Sequence, residues 1–302
     1  HWPTWGNATI LSFWENQRDL YRYIHDQTLR LANEGYTPNE IADMLKLPEA
    51  LDKEFYDRGY YGTVSHDAKA QYQLYFGWFD GNPSNLNPLP PSEAGTKYVE
   101  FMGGAEKVIS MAQKSYDKGE YRWVGEVMKH VVFADPKNQK ARNLLADAYE
   151  QMGYQAESGP WRNFYLSGAK ELRMGVKVIP MSGTSGPDMI NGMSSQLFFN
   201  YIAMRYKGTE ENKNKYNFNF ILTDRNEKVS LIVSNGVVNP RIGSHLMKDV
   251  TATITMSRLD LAILTSGKGV KVDDLIKSGK IKIDGDADAF KAFLNNIDNF
   301  NY

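Results

Sequence analysis

The run from Gly59 to Pro83 concentrates the groups best suited to chemistry. It places His66, Lys69, Tyr72 and Tyr75 three residues apart in succession. Imidazole, ammonium and phenol together grip an oxyanion, through charge and through N–H and O–H donation. A helix is predicted here, with Gly62 allowing a tight turn before it and Ser65 as its cap. Asp67 suits the positive first turn, and Asp80-Gly81-Asn82-Pro83 supplies the stop. On that helix Lys69, Tyr72, Phe76 and Phe79 follow one face, while Gln71, Tyr75 and Trp78 follow another. Either tyrosine can face an anion, and the spacing does not choose between them. The competing reading is that these rings pack a core, as large rings usually do.

Composition narrows the remaining chemistry. The chain has 302 residues and no cysteine, which excludes disulfides, thiol catalysis and cysteine-held metal within it. Its five histidines, His1, His25, His66, His130 and His245, are scattered, with no pair at helical or strand spacing. The net charge of −1, with both signs interspersed, points to no nucleic-acid partner. No apolar run approaches the roughly 20 residues of a membrane helix.

The elements that must position these groups follow in order. Ala8 to Leu11 reads as a short strand or a helix entry. Ser12 with Glu15 forms a capping box for a helix that Gly35 ends. Arg18 and Asp19 on it read as an exposed ion pair, the alternative being an oxyanion grip through Arg18. Thr37-Pro38-Asn39-Glu40 starts a second helix, with Ile41, Met44 and Leu45 on its apolar side. Asn85 to Pro91 reads as an ordered loop, and Ser92 opens the next helix. Ala112 and Ala146, Ser115 and Tyr149, and Gly119 and Gly153 are each 34 residues apart, the tetratricopeptide period. Their alanines are expected to bring helices close and their glycines to turn the chain. With about two repeats, the array must pack on something else, which favours a structural and dimer-forming role over peptide binding. Gly159-Pro160 begins a further helix.

Pro180 to Pro187 is the expected domain boundary, because the composition then turns from helical to alternating. An amphipathic helix over Met189 to Lys207 precedes strands at Lys215–Asp224, Val229–Ser234, Val237–Gly243 and Thr251–Ser257. Asn235-Gly236 marks a hairpin turn. Helices from Ser257 and Val272, a strand at Lys280–Gly285 and a helix over Asp286–Ile297 complete a meander sheet with returning helices, an α+β sandwich.

His1-Trp2-Pro3-Thr4-Trp5-Gly6, Gln17-Arg18-Asp19-Leu20-Tyr21 and the Gly59–Pro83 run together resemble the linear alkylsulfatases. These are zinc-dependent enzymes of the metallo-β-lactamase superfamily, and the resemblance covers their C-terminal half. It implies a multidomain chain. Residues 1–11 would be the tail end of a metallo-β-lactamase-like catalytic domain. Residues 12–179 would form an all-α, tetratricopeptide-like dimerisation domain, and residues 187–302 an α+β domain like sterol carrier protein 2. It implies two zinc ions in the intact enzyme, held mostly outside this chain, with His1 as a ligand. It also implies hydrolysis of alkyl sulfates to alcohol and sulfate, and a periplasmic or secreted location.

Under that resemblance His66, Lys69, Tyr72 and Tyr75 hold the sulfate. Phe198, Met193 and Met204, with Leu197 and Met247, line an apolar tunnel for the alkyl chain, although they serve equally as core. The implied partners are a second copy through the helical domain, an N-terminal catalytic domain or fragment, and an alkyl sulfate or other long-chain amphiphile. The superfamily's His-x-His-x-Asp-His motif does not occur in the sequence, so this chain by itself is expected not to hydrolyse. The rival class is a non-enzymatic module, with repeats for protein contacts and a lipid-carrying last domain.

Overall fold

A computed structural model describes residues 3–177, 187–208, 214–243, 245–266 and 269–298. The chain divides into a unit ending at Lys177 and a unit beginning at Val178. His1 and most of the expected boundary segment lie outside the described residues.

The first unit is helical. α1 (Asn7–Asn33) starts after Gly6 and runs for 27 residues. Ser12 therefore sits inside the helix and the capping box expected there does not form, while Ala8 to Leu11 is the helix entry of the two alternatives. Gly35, at φ 95°, ends α1 as expected. α2 (Pro38–Met44) has the full reciprocal capping box of Thr37 and Glu40. After α3 (Glu49–Asp52), α4 (Val64–Phe76) carries the chemical run. Its cap is Thr63, whose side chain accepts from the His66 N–H at 3.0 Å, and not Ser65. α4 stops at Gly77, before the turn residues, so Trp78 and Phe79 lie beyond it. Ile24, Leu31, Ile41, Leu45, Ala68 and Tyr72 form the core joining α1, α2 and α4.

α5 (Pro91–Phe101), α6 (Ala105–Asp117), α7 (Tyr121–Ala134), α8 (Gln139–Gln155) and α9 (Gly159–Met174) complete the unit. The repeat is real: α6–α7 and α8–α9 are successive hairpins, with Ala112 and Ala146 buried at matching places. The paired glycines differ, however. Gly119 turns the chain at φ 81°, whereas Gly153 lies inside α8, where an added Cβ would meet Leu166 at 2.9 Å. Its role is close approach of α8 and α9. Arg142 secures the end of α9 by donating to the carbonyls of Leu172 at 2.7 Å and Glu171 at 3.0 Å, which serves the negative end of the helix.

The second unit is α+β. The expected helix over Met189 to Lys207 is two helices, α10 (Pro187–Gly192) and α11 (Ser195–Arg205), the latter capped by Ser194. β1 (Tyr216–Leu222), β2 (Glu227–Ser234) and β3 (Val237–Ile242) form the antiparallel meander. Asn235 and Gly236, at φ 53° and 76°, make the hairpin turn. β4 (Ala252–Met256) then departs from the meander and pairs parallel with β1 on its other side. α12 (Arg258–Leu264), α13 (Val272–Lys277), β5 (Ile281–Gly285) and α14 (Ala287–Asn295) follow, giving a mixed sheet of order β3-β2-β1-β4-β5. Phe198, Phe199, Phe218, Phe220, Phe290 and Phe293 fill its core. Asn219 is buried on the opposite face, where it pairs with both backbone groups of Met247 and accepts from Ser230.

Candidate functional site

The loop before α4 is fastened to the turn between α8 and α9. The Ser158 hydroxyl donates to the Tyr61 carbonyl at 2.5 Å, and the Gly159 N–H donates to the Tyr60 carbonyl at 2.8 Å. Arg58 pairs with Glu157 at 2.7 Å. These bonds join residues nearly one hundred positions apart, so a glycine-rich loop is held in one conformation. They leave the Tyr61 ring 83% exposed. A groove of about 390 Å³ runs beside it, lined by Leu45, Leu47, Arg58, Ser65, Glu157 and Trp161 among others.

His66 and Lys69 stand at this end of α4. The Trp161 indole N–H donates to His66 Nδ1 at 3.3 Å. Indole is only a donor, so the proton of a neutral His66 ring sits on Nε2. The exposed imidazole therefore offers a donor outward, as an anion requires. Lys69 is half-buried one turn further on. Asp67 is raised above the usual carboxylate range, mainly by burial, with His66 opposing that shift.

The tyrosines separate clearly. Tyr72 is buried in the core, its ring 5.0 Å from that of Phe76. Tyr75 is 54% exposed, and its hydroxyl meets His25 Nε2 at 2.8 Å. His25 Nδ1 in turn meets Asp26 at 2.7 Å. Nine residues of helix place Tyr75 half a revolution and about 13 Å from His66. One sulfate cannot touch both, so the four expected residues form a His66–Lys69 pair, a core tyrosine and a separate Tyr75 cluster. His25, Asp26 and Trp161 were not singled out from the sequence.

Asp57 is a further buried polar group, 4% exposed, in the short turn before this loop. Gln17 donates to one of its oxygens at 2.6 Å, while the other has no partner. Burial, then Glu54, push its carboxyl above the usual range, against the Gln17 hydrogen bond. A carboxyl raised on folding favours the folded state below its unfolded value, and that contribution disappears as pH rises through the folded one. At neutral pH Asp57 is therefore a cost. Asp57→Asn is expected to stabilise this unit by about 1 kcal/mol near neutrality, with the gain vanishing in acid, as urea unfolding at two pH values would show.

In the second unit Phe198 is closed into the core, Met193 packs half-buried against it, and Met204 is 66% exposed. None of the three lines the groove beside α4 or the one described next. A groove of about 450 Å³ opens elsewhere, with Leu264, Val272, Leu294 and Ile297 on its floor and Lys271 and Lys291 beside them. Lys291 is paired with Asp273 at 2.8 Å.

No three His, Cys, Asp or Glu side chains among the described residues could hold a metal ion. The donor set of the described residues does not fit a zinc centre. Among the same residues, no helix is long and apolar enough to cross a membrane.

A pinned aromatic loop on a tetratricopeptide-like helical unit, followed by a mixed α+β unit, defines the class. Residues 37–175 match the alkyl sulfatase dimerisation family, and residues 183–302 the alkyl sulfatase C-terminal family. A linear primary-alkylsulfatase from Pseudomonas sp. is 48% identical over 100% of this chain and 44% of its own length. An alkyl/aryl-sulfatase from Saccharomyces cerevisiae is 42% identical over 99% of this chain and 46% of its own length. The solved stereoselective inverting sec-alkylsulfatase from Pseudomonas sp. superposes with a TM-score of 0.92 at 39% identity, over 99% of this chain and 47% of that one. The chain thus spans less than half the length of these relatives. It belongs to the alkylsulfatase family and matches the C-terminal portion of these relatives.

Proposed function

We propose that the intact protein hydrolyses alkyl sulfate esters to an alcohol and sulfate. The carrying observation is similarity along the whole chain to proteins named as alkylsulfatases. This portion supplies a dimer contact through the helical unit, as the match to a dimerisation family supports. The groove in the second unit is the better candidate for the alkyl chain than Phe198, Met193 and Met204, because it is open and has Leu264, Val272, Leu294 and Ile297 in its lining. Each methylene buried there would contribute about 0.8 kcal/mol.

His66 and Lys69 grip the substrate sulfate through the outward Nε2–H and the ammonium. Donors placed where charge grows on a departing oxygen contribute most of such a rate enhancement. The two zinc ions implied by the resemblance belong to residues outside this chain, with His1 the one contributor proposed from it. By the same resemblance the enzyme works in the periplasm or outside the cell, degrading surfactants. The test is release of inorganic sulfate from dodecyl sulfate by the full-length protein, lost on chelation and restored by zinc. His66→Ala and Lys69→Ala should each slow turnover by about 10²-fold. A full-length protein that leaves dodecyl and other alkyl sulfates intact would end this reading.

A further inference from the structure

The cluster of Tyr75, His25 and Asp26 is not absorbed by the His66–Lys69 grip. One hydrogen bond, of 2.8 Å between Tyr75 and His25, joins α4 to α1, and a second, of 2.7 Å between His25 and Asp26, lies within α1. Arg22 adds a third contact, donating to the other Asp26 oxygen at 2.8 Å. The His25 hydrogen bond, first among its causes, and Arg22 hold Asp26 below the usual carboxylate range, so it is an anion at neutral pH. Among the described residues, Arg22 and Asp26 on α1 and Tyr75 on α4 are the charged and titratable groups set against the His25 ring.

The proton positions have a consequence. With His25 neutral, the Asp26 carboxylate accepts from Nδ1–H, and Nε2 is left as an acceptor. Tyr75 must then donate its only proton to His25 and turns just lone pairs to solvent. With His25 protonated, both ring nitrogens donate. Nε2–H points at the Tyr75 oxygen, and the phenolic O–H is released outward as a donor. The cluster then carries the charges of Arg22, His25 and Asp26, a net single positive charge beside an outward donor. The neutral form has neither feature. A negatively charged acceptor therefore selects the protonated form, and binding is linked to uptake of a proton.

We propose that Tyr75, His25 and Asp26 form a second oxyanion site, distinct from the His66–Lys69 pair, that binds a sulfate-type anion together with one proton. The exposed phenol is the group that touches the anion. His25 is a positioning residue that switches the phenol from acceptor to donor, and Asp26 holds its ring. The anion is free sulfate, or the sulfate head of an amphiphile whose chain lies on the exposed Phe76 and Trp78 that follow Tyr75.

The experiment is calorimetric titration of the full-length protein with sodium sulfate in two buffers of different ionisation enthalpy, which counts protons taken up per anion. The His25→Gln variant should bind with close to one proton fewer than wild type, and Asp26→Asn with an intermediate deficit. Tyr75→Phe should weaken the linked binding about tenfold, the scale of one charge-assisted hydrogen bond. Thermal melts identify any variant that has lost its fold, and Asp26→Asn then carries the comparison. An equal proton count in wild type and the folded variants overturns the proposal, as does unchanged affinity in Tyr75→Phe. Repeating the titration with dodecyl sulfate separates the two sources. Tighter binding than sulfate that Trp78→Ala removes marks the amphiphile, and equal binding marks the free anion. Dodecyl sulfate turnover is scored separately, so hydrolysis without proton linkage removes this site alone, and linkage without hydrolysis removes the enzymatic reading alone.

Discussion

Arg258→Met is expected to cost the second unit about 3 kcal/mol or more. Arg258 is 1% exposed, and among the described residues its guanidinium meets carbonyls rather than a carboxylate. It donates to Met193, to Ile190 at 2.5 Å and to Asn191 at 2.8 Å. Those carbonyls lie at the end of α10 and in the link to α11, where helix termini leave acceptors unpaired. Arg258 thus fastens the end of a six-residue helix, beside Arg225, which also donates to the Asn191 carbonyl. Its guanidinium also lies 5.5 Å from the Phe198 ring centre, so polar and apolar cores meet there. Methionine has a similar reach and fills the space, but it takes the charged donor from the half-buried Met193 and Ile190 carbonyls, each bond worth about 1.5 kcal/mol or more, while Asn191 keeps Arg225. Lysine keeps the charge but not the planar fork, and should recover about half of the loss. Urea unfolding of this chain, followed by a probe in the second unit, measures it. A loss under about 1 kcal/mol would mean that water serves those carbonyls as well as Arg258 does.

Gly285→Ala is expected to be comparably severe. Gly285 ends β5 at φ 114°, a region that side-chain-bearing residues avoid. An added Cβ would lie 2.5 Å from the Thr251 carbonyl oxygen and 2.9 Å from the Ala252 Cα. Both are backbone atoms. The Thr251 carbonyl also accepts from the Asp286 N–H at 2.9 Å, so it cannot retreat without breaking the entry to α14. Strain and overpacking together should cost about 3 kcal/mol or more. Gly279→Ala is the control, because Gly279 has φ 72° but no atom within 4 Å of the new Cβ. It should lose only about 1 kcal/mol. Chemical denaturation of both variants isolates the steric share, and equal losses would assign the whole effect to backbone strain.

Local signals in the sequence were legible where one residue type answers one local demand. Thr37 with Glu40, Asn235 with Gly236, and Ser257 before α12 all act as read. They failed where two candidates competed. Ser12 is a sound cap in isolation, but α1 already begins five residues earlier, and the extended Thr63 caps α4 from Val64 onward, before Ser65 can. Period-two alternation located the strands. It carries no information about which strand lies beside which, so the parallel pairing of β1 with β4 was invisible. The 34-residue spacing found the hairpins, yet spacing does not separate a glycine that turns from one that admits a neighbour.

The site was legible in residue type and not in arrangement. His66 and Tyr75 are nine residues apart on one helix, but α9 claims the first and α1 the second. Trp161 and His25 come from distant parts of the chain, and no local pattern announces them. Tyr72 and Tyr75 read alike in sequence, and tertiary packing alone buries one and exposes the other. The orphaned oxygen of Asp57 likewise arises from how a short turn meets α1.

The parallel pairing of β1 with β4 bears on how the protein is made. Leu222, the end of β1, emerges from the ribosome well before Ala252, the start of β4. At common rates of synthesis, β1 waits roughly 2 to 6 seconds with one edge paired to β2 and the other bare. That edge carries Phe218 and Phe220, and open apolar edges recruit foreign strands. Nascent chains halted by a premature stop within this interval will keep that edge permanently, and holdase chaperones should retain them while releasing the finished product.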